Sequence, residues 1–207
     1  TSFEGSIFIG DASDDEIYKI NSEHVKKYKN ILSIQHFHDK EASCDQATTR
    51  LIKYIKTKYM AVMPDDDIII TTAITQCIDF LNSNNGYSAV HGKGYEMTIN
   101  YGKEQAFGNA VTVAEYSSYT TEIDSPIERL KDYFNFPLNV NMSVILTEFN
   151  IKAYKAIENL DYYYSSYQFG ELTHASVLLS FGKIKELPPV TTVSPILTFA
   201  CFGTSFN

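Results

Sequence analysis

A chain of 207 residues, 44% of them hydrophobic, is long enough to bury one sizeable core. Its net charge of −8, with no clustering of Lys and Arg into a basic stripe, excludes nucleic acid as an expected partner. No run approaches the ~20 apolar residues of a membrane-spanning helix.

The cysteines and the first residues of the chain indicate the cellular compartment of the protein. Cys44, Cys77 and Cys201 are odd in number and lack metal-ligand spacing, so we expect reduced thiols. Residues 1–4 carry neither the charged leader nor the apolar run of a signal peptide. We therefore expect a cytoplasmic protein, and the missing initiator Met suggests a processed or excised piece of a longer one.

The first part of the chain predicts two strands and a helix. Residues 7–9 form an apolar strand that ends in the polar loop 10–15, and residues 31–37 form a second strand. Residues 43–46 (SCDQ) have the pattern of a capping box and begin a helix. The spacing of its apolar residues predicts a buried face made of Ala47, Leu51, Tyr54 and Ile55.

A run of acids follows the next strand. Residues 59–63 predict a buried strand, and Asp65, Asp66 and Asp67 follow it after one proline. A helix comes next, and its apolar side is predicted to consist of Ile74, Cys77, Ile78 and Leu81.

The second half mixes strands and helices. Strands are predicted over residues 87–99, 110–116 and 141–146. Ser125 and Pro126 begin a helix, whose inward residues are predicted to be Ile127, Leu130 and Phe134. Two more helices are predicted, one capped by Thr147 and one that begins near Gly170 and ends at Gly182.

This alternation predicts an α/β fold with a mostly parallel central sheet flanked by helices, and a mixed second half. Neither a repeat nor a linker interrupts the chain, so we expect residues 1–207 to form a single domain. Ligands of such sheets bind beyond the carboxyl ends of the strands. The acidic loops at Asp11 and at residues 65–67 both follow strands, so we expect both at this edge.

The triplet Asp65, Asp66 and Asp67 has two interpretations. Three adjacent carboxylates are costly unless they are solvated or neutralised, and oxygen ligands at this spacing suit Mg²⁺ or Mn²⁺. We hypothesise that Asp67 binds the ion and that Asp65 binds the ion or a ribose. Alternatively, the triplet is a solvated turn that begins the next helix, where negative charge is favourable.

Residues 59–92 (YMAVMPDDDIIITTAITQCIDFLNSNNGYSAVHG) resemble the donor-binding region of GT-A-type glycosyltransferases, in particular the bacterial and viral enzymes related to family 2. These enzymes carry an Asp-x-Asp or aspartate triad after a hydrophobic strand. The loop 7–16 (IFIGDASDDE) resembles the family's second-strand loop, which implies that Asp11 contacts the nucleoside. An Asx-turn is the alternative role for Asp11.

Residues 169–184 resemble the family helix that carries the acidic base of inverting enzymes, together with the glycine–lysine after it. The resemblance implies that Glu171 deprotonates the acceptor hydroxyl, although Leu172 stands where an aspartate often supplies the base. A carboxylate at a helix N-terminus stays ionised, which suits a general base. The alternative is that Glu171 only complements the helix dipole.

Together these features predict a metal-dependent glycosyltransferase that moves a hexose from a nucleoside-diphosphate sugar, expected to be a UDP-sugar, to a hydroxyl of a glycan, lipid or protein. The resemblance implies inversion, Mn²⁺ or Mg²⁺ on Asp65 and Asp67, and nucleotide contacts from Asp11, Asp65 and Asp66. Two departures stand out: the family's first strand and its late metal-binding His have no counterpart in this sequence. A nucleotidyltransferase and a non-catalytic carbohydrate-binding domain remain alternatives.

Lesser candidates have simpler structural interpretations. His36 and His38 alternate on one strand and could form a metal pair, but without a third ligand we favour structural roles. His91 is expected to be a hydrogen-bonded structural residue, and His174 could reach phosphate or acceptor. Arg129 could contact an acceptor or a phosphate, although a surface position is simpler. The tyrosines at residues 162–164 could stack on an acceptor sugar.

Overall fold

A computed structural model describes residues 5–100, 110–160 and 167–198. The tyrosines at residues 162–164 and Cys201 lie outside these ranges. In chain order the elements are β1 (Ser6–Asp11), α1 (Asp15–Tyr28), β2 (Ser33–His38), α2 (Cys44–Ile52), β3 (Tyr59–Met60), β4 (Ile68–Ile69), α3 (Thr71–Ser83), β5 (Tyr87–Asn100), β6 (Ala110–Tyr116), α4 (Pro126–Asn135), β7 (Val144–Leu146), α5 (Thr147–Glu158), α6 (Tyr167–Phe181) and β8 (Lys183–Thr198). None of these helices is long and apolar enough to cross a membrane.

The strands form two sheets, and the α/β class is confirmed. β1 and β2 pair in parallel as a separate two-stranded sheet. The larger sheet has the order β3-β7-β5-β8-β4, and β6 pairs with β5. Within it only β5 and β8 run parallel, whereas β3–β7, β5–β7, β5–β6 and β4–β8 are antiparallel. The prediction of a mostly parallel central sheet is therefore wrong for the described residues.

The reason lies in how the chain crosses the sheet. The strand–helix alternation favoured a parallel sheet, in which helices connect strands that run in the same direction. Instead β3 and β4 lie at opposite ends of the strand order and run in opposite directions. Four strand spacings are roughly 19 Å, and the eight Cα steps from Met60 to Ile68 span at most about 26 Å. The segment that carries the three aspartates must therefore cross the width of the sheet within this reach, and it makes a turn at Asp65 and Asp66 on the way.

Helices cover both faces of the larger sheet. Neighbouring residues of a strand point to opposite faces, and Ala89 and Val90 of β5 are both fully buried. Ala89 packs with Leu178 of α6, whereas Val90 packs with Cys77 of α3. The core is thus three layers deep, with α4 and α6 on one face and α3 on the other.

Gly182 ends α6, as predicted, and close packing explains why a glycine stands there. A Cβ atom at this position would lie 2.4 Å from the backbone nitrogen of Ser88 in β5. The helix therefore passes into β8 within contact distance of the neighbouring strand, which fixes α6 against the sheet.

The predicted inward face of α4 is confirmed only at Leu130, which packs against the core. Ile127 and Phe134 are 66% and 56% exposed, whereas Arg129 and Tyr133 are buried. The Arg129 side chain donates hydrogen bonds to carbonyl oxygens on three residues, Leu179 at 2.7 Å, Ile123 at 2.9 Å and Asp124 at 2.7 Å. Because backbone acceptors satisfy its charge, Arg129 is neither a surface residue nor placed to contact a phosphate.

Several local predictions also need correction. Helix α1 was missed, although Asp14 caps it by accepting hydrogen bonds from the backbone of Glu16 and Ile17. The capping box of α2 is confirmed, but the helix ends at Ile52, so Tyr54 and Ile55 lie beyond it. Thr147 begins α5 without capping it, because α5 has no side-chain cap.

Candidate functional site

The aspartate triplet lies in an exposed turn. Asp65 and Asp66 are exposed and Asp67 is half-buried. The strand before them was predicted over residues 59–63, but it consists only of Tyr59–Met60 and is partly buried. The three carboxylates make no hydrogen bond or ion pair with any side chain in the described ranges.

The triplet is solvated, but it does not begin the next helix. β4 separates it from α3, and the first turn of α3 contains no acid. The helix-dipole explanation for the triplet is therefore wrong. What remains is a solvated run of three like charges without compensation from the described part of the chain.

The N-terminus of α2 lies beside this turn. Burial raises the pKa of the Cys44 thiol, and the charges of Asp45 and Asp65 raise it further. Asp45 in turn contacts α6, because a Cβ atom on Gly170 would lie 2.8 Å from Asp45 Oδ2. The start of α2 and the start of α6, which are distant in sequence, therefore lie in contact, and the charge of Asp65 reaches Cys44 at this end of α2.

Glu171 lies in the second turn of α6, not at its N-terminus, since the helix begins at Tyr167. Two amide side chains hold its carboxylate: Asn139 Nδ2 and Asn141 Nδ2 donate to Oε1 at 3.3 and 3.2 Å. Side-chain amides, rather than the helix terminus, thus provide its local stabilisation. The suggestion that Glu171 only complements the helix dipole loses its support, because the first turn of α6 contains no acid.

Tyr116, at the end of β6, lies within range of the charges of both Glu171 and the acid turn. Burial raises the pKa of its phenol, and the charges of Glu171, Asp67 and Glu96 add to this, while a hydrogen bond with Asn139 opposes it. The charges of Asp67 and Glu171 therefore both reach this phenol. Of the two acids, Glu171 is joined to Tyr116 by side-chain hydrogen bonds, through Asn139.

Sequence reasoning missed Tyr116, Asn139, Asn141 and Asp45. The only local signal was the pair of asparagines two residues apart, since alternate residues of an extended segment point to the same side. Nothing in the sequence indicated which acid they would contact.

Asp11 is nearly buried at the end of β1. Its Oδ1 accepts from the backbone of Ser13 at 2.9 Å, which is the Asx-turn that was the alternative interpretation. Its Oδ2 accepts from Asn21 Nδ2 at 3.0 Å and from His36 Nε2 at 2.9 Å. Asp11 thus joins β1, α1 and β2, and its contact with a nucleoside stays a prediction.

Asp11 also lines a cleft of about 190 Å³ between the end of β1 and helix α2, together with Lys53 and Arg50. Arg50 makes an ion pair with Asp39 at the rim. The cleft therefore combines buried acidic and exposed basic groups.

We expect Asp11 to make the unfolding free energy depend on pH in the acidic range. Burial alone would raise the pKa of its carboxyl, but hydrogen bonds from Ser13, Asn21 and His36 outweigh burial and hold the pKa well below its usual range. The stabilisation is then complete above the unfolded-state pKa of about 4 and is lost as the pH falls towards the lower folded-state pKa. Asp11→Asn should lose about 1.5–3 kcal/mol of unfolding free energy at pH 7.

Denaturant unfolding of both proteins between pH 2 and pH 7 checks this expectation. The gap between the two should be constant above about pH 4 and narrow below it. A gap that widens in acid would contradict the assignment.

The histidines serve structural roles. His36 bonds Asp11, and His38 Nε2 lies 2.8 Å from the carbonyl oxygen of Ser13, so the two do not converge on one point. His91 Nε2 is 3.1 Å from the carbonyl oxygen of Tyr119, as the structural interpretation expected. His174 is buried, its Nε2 lies 2.6 Å from Oδ1 of Asn150, and burial lowers its pKa to about 4. A neutral, enclosed His174 does not reach phosphate or acceptor.

The donor set for a metal is restricted. Within residues 5–100, 110–160 and 167–198, no three His, Cys, Asp or Glu side chains are placed to hold an ion by themselves. Mg²⁺ and Mn²⁺ sites that handle phosphates commonly use only one or two carboxylates plus substrate oxygens. The carboxylates of exposed Asp65 and half-buried Asp67 fit such a shared site and do not fit a protein-only one.

Comparisons with known proteins extend this description. Neither a protein-family model nor a curated protein sequence matches the chain. Solved structures of S. aureus TarS do match: one has a TM-score of 0.61 at 13% identity and covers 95% of this chain and 32% of TarS. TarS 1–349 in complex with UDP has a TM-score of 0.59 at 12% identity and covers 95% of this chain and 52% of that one.

A further structure of TarS 1–349 has a TM-score of 0.56 at 14% identity, covering 92% of this chain and 51% of that one. The chain thus spans about a third to a half of these structures. At such low identity the likeness shows a shared fold. The likeness supports the expected α/β fold, whereas the mostly parallel sheet is not supported.

Proposed function

We propose that this chain is a glycosyltransferase domain that uses a nucleoside-diphosphate sugar, with UDP as the expected nucleotide. The observation that carries the proposal is the fold shared with TarS, a glycosyltransferase of which one structure contains UDP. Fold alone does not determine function, so the site must add to it. The Glu171 carboxylate, held by the amides of Asn139 and Asn141, supports a site that could accept a proton, and the charge of Asp67 reaches Tyr116 beside it.

In this proposal Asp67 and Asp65 hold Mn²⁺ or Mg²⁺ together with the donor's phosphates. The ion would supply charge neutralisation for the departing diphosphate. Asp66 and Asp11 are proposed to contact the nucleotide. Because Asp11 already accepts three hydrogen bonds from the protein, its contribution rests on the cleft that it lines.

Glu171 is proposed to be the general base. Its carboxylate would take the proton of an acceptor hydroxyl while the hydroxyl oxygen forms a bond to the anomeric carbon. The bond from that carbon to the phosphate oxygen breaks, and the nucleoside diphosphate leaves with the electron pair. A carboxylate fixed by two amides is suited to this role because it does not need to reorganise during the reaction. Inversion at the anomeric carbon follows from direct displacement.

Nucleotide-sugar binding tests the proposal. We expect UDP-sugars with Mn²⁺ to raise the unfolding temperature, because a ligand that binds only the folded state stabilises it by about 2.7 kcal/mol at 100 times its Kd. Differential scanning fluorimetry with a panel of UDP-, GDP- and CMP-sugars, with Mn²⁺ or EDTA, measures this effect. Release of UDP from the best donor then measures turnover.

The pattern of shifts distinguishes the alternatives. Shifts with nucleoside triphosphates but not with nucleotide sugars would replace the proposal with nucleotidyl transfer. The absence of any nucleotide-dependent shift would leave a non-catalytic carbohydrate-binding domain.

A further inference from the structure

The segment before β7 holds the Glu171 side chain through two asparagines, to which the proposed reaction assigns no role. Val140 is buried in the core with Leu178 and Leu179, whereas the side chains of Asn139 and Asn141, on either side of it, both reach Glu171. The two amides are brought together by an Asx-turn, in which Asn139 Oδ1 accepts from the backbone nitrogen of Asn141, while Val140 between them anchors the backbone in the core. The anchor fixes both amides relative to α6.

The orientation of the Asn139 amide follows from its other partners. Its Oδ1 accepts a hydrogen bond from the backbone nitrogen of Asn141 at 2.6 Å, so Nδ2 must face Glu171. The same side chain hydrogen-bonds with Tyr116, and the Asn139 carbonyl oxygen accepts from the backbone nitrogen of Tyr119 at 3.0 Å. Asn139 is thus held at both its backbone and its side chain.

The two amides converge on one oxygen. A carboxylate oxygen offers two lone pairs, and both on Glu171 Oε1 are directed to amide donors. Oε2 has no hydrogen-bond partner among the described residues. The hydrogen bonds to Oε1 therefore fix the orientation of the carboxylate and leave Oε2 available to accept a proton.

On this geometry, and resting on the proposed transferase function, we propose that Asn139 and Asn141 are positioning residues that fix the Glu171 carboxylate through Oε1 and leave Oε2 to receive the acceptor's proton. The proton passes from the acceptor hydroxyl to Oε2, the hydroxyl oxygen bonds to the anomeric carbon, and the nucleoside diphosphate departs. Glu171 then releases the proton to solvent.

Asparagine-to-aspartate changes test the proposal, because they keep the shape of the side chain and remove the amide donor. Asn139→Asp also keeps the oxygen that accepts from the backbone of Asn141, so the segment retains that contact. We expect each variant to lower kcat for sugar transfer roughly 10- to 100-fold, since small displacements of a reacting group cost about that much. Donor affinity, measured by the thermal shift with UDP, should change less than twofold.

Repeating the substitution in the Glu171→Gln variant distinguishes a positioning role of the amides from a general disruption of the structure. If the amides act through Glu171, then Asn141→Asp should have almost no further effect on the residual turnover of Glu171→Gln. Asn159→Asp is the matched control, because Asn159 also uses its amide in a hydrogen bond, to the carbonyl oxygen of Lys155 at the exposed end of α5. Its kcat should equal that of the wild type.

Two results would overturn the proposal while the transferase function stands: an unchanged kcat in both variants, or equal losses in the wild-type and Glu171→Gln backgrounds. Unfolding midpoints of the same four proteins give a readout that needs no activity. The destabilisation by Asn141→Asp should shrink in the Glu171→Gln background, and additive midpoints would refute the contact itself. If the wild-type chain transfers no sugar from any donor, the proposed function fails and the positioning role fails with it.

Discussion

Glu171→Gln is expected to lower kcat for sugar transfer by roughly 10²- to 10⁴-fold, which is the usual contribution of a general base. Glutamine has nearly the same shape but cannot accept the acceptor's proton. Its side-chain oxygen can still receive the amide hydrogens of Asn139 and Asn141, so the local packing should persist. Donor binding, which does not involve the base, should therefore be preserved.

Steady-state kinetics with saturating donor, together with thermal shifts by UDP and Mn²⁺, measure the two effects separately. Glu148→Gln is a suitable control, because Glu148 is an exposed acid on the first turn of α5. A Glu171→Gln protein with wild-type turnover would remove the base from the mechanism, even if the chain binds nucleotide sugars.

The elements that could be predicted from the sequence are those whose ends depend on residues nearby in the chain. Ser43 and Gln46 exchange both hydrogen bonds of a capping box, and Ser125 accepts from the backbone of Glu128 at the start of α4. Such contacts span three residues, so the sequence contains all the information about them. The helices α2 and α4 begin where the sequence predicts.

The sheet order could not be predicted in the same way. The apolar run over residues 59–63 is compatible with a buried strand, yet only Tyr59–Met60 pairs, at one edge of the sheet. The pairing of β4 with β8 brings together residues more than a hundred positions apart. Hydrophobic patterning specifies that a segment is buried, but not which strand it pairs with.

Arg129 illustrates why the inward face of α4 was predicted only in part. Ile127 and Phe134 fit an apolar helical stripe, and a charged residue has a low prior for burial. Burial of Arg129 depends on carbonyl oxygens in the loop before α4 and on that of Leu179, fifty residues away at the end of α6. Periodicity alone reveals neither the path of the loop nor the contact with α6.

The candidate site also combines residues that could be predicted from the sequence with residues that could not. The triplet and Glu171 stand out in the sequence because acids in these contexts resemble a known family pattern. The asparagines that hold Glu171 lie about thirty residues before it and share a chemistry common in polar loops. Their role depends on a tertiary contact and became visible only with the structure.

Asp67→Asn is expected to lower metal-dependent transfer by roughly 10²- to 10³-fold, because a lost metal ligand removes several kcal/mol of charge stabilisation from the departing diphosphate. The stability of the protein, unlike its activity, should not fall. The described residues give the Asp67 carboxylate no hydrogen bond or ion pair, and two like charges precede it directly, so neutralising the side chain removes no native contact among them. We therefore expect an unfolding temperature equal to or above that of the wild type.

Titration with Mn²⁺ in the presence of UDP, followed by calorimetry, measures the loss of metal affinity, and thermal unfolding measures stability. Asp79→Asn is the matched control, since Asp79 is an exposed acid on α3. Unchanged Mn²⁺ affinity in Asp67→Asn would remove Asp67 as a ligand, whereas a large fall in unfolding temperature would show a structural role. A loss of activity in Asp67→Asn without a loss of stability is the result expected of a charge that serves function rather than folding.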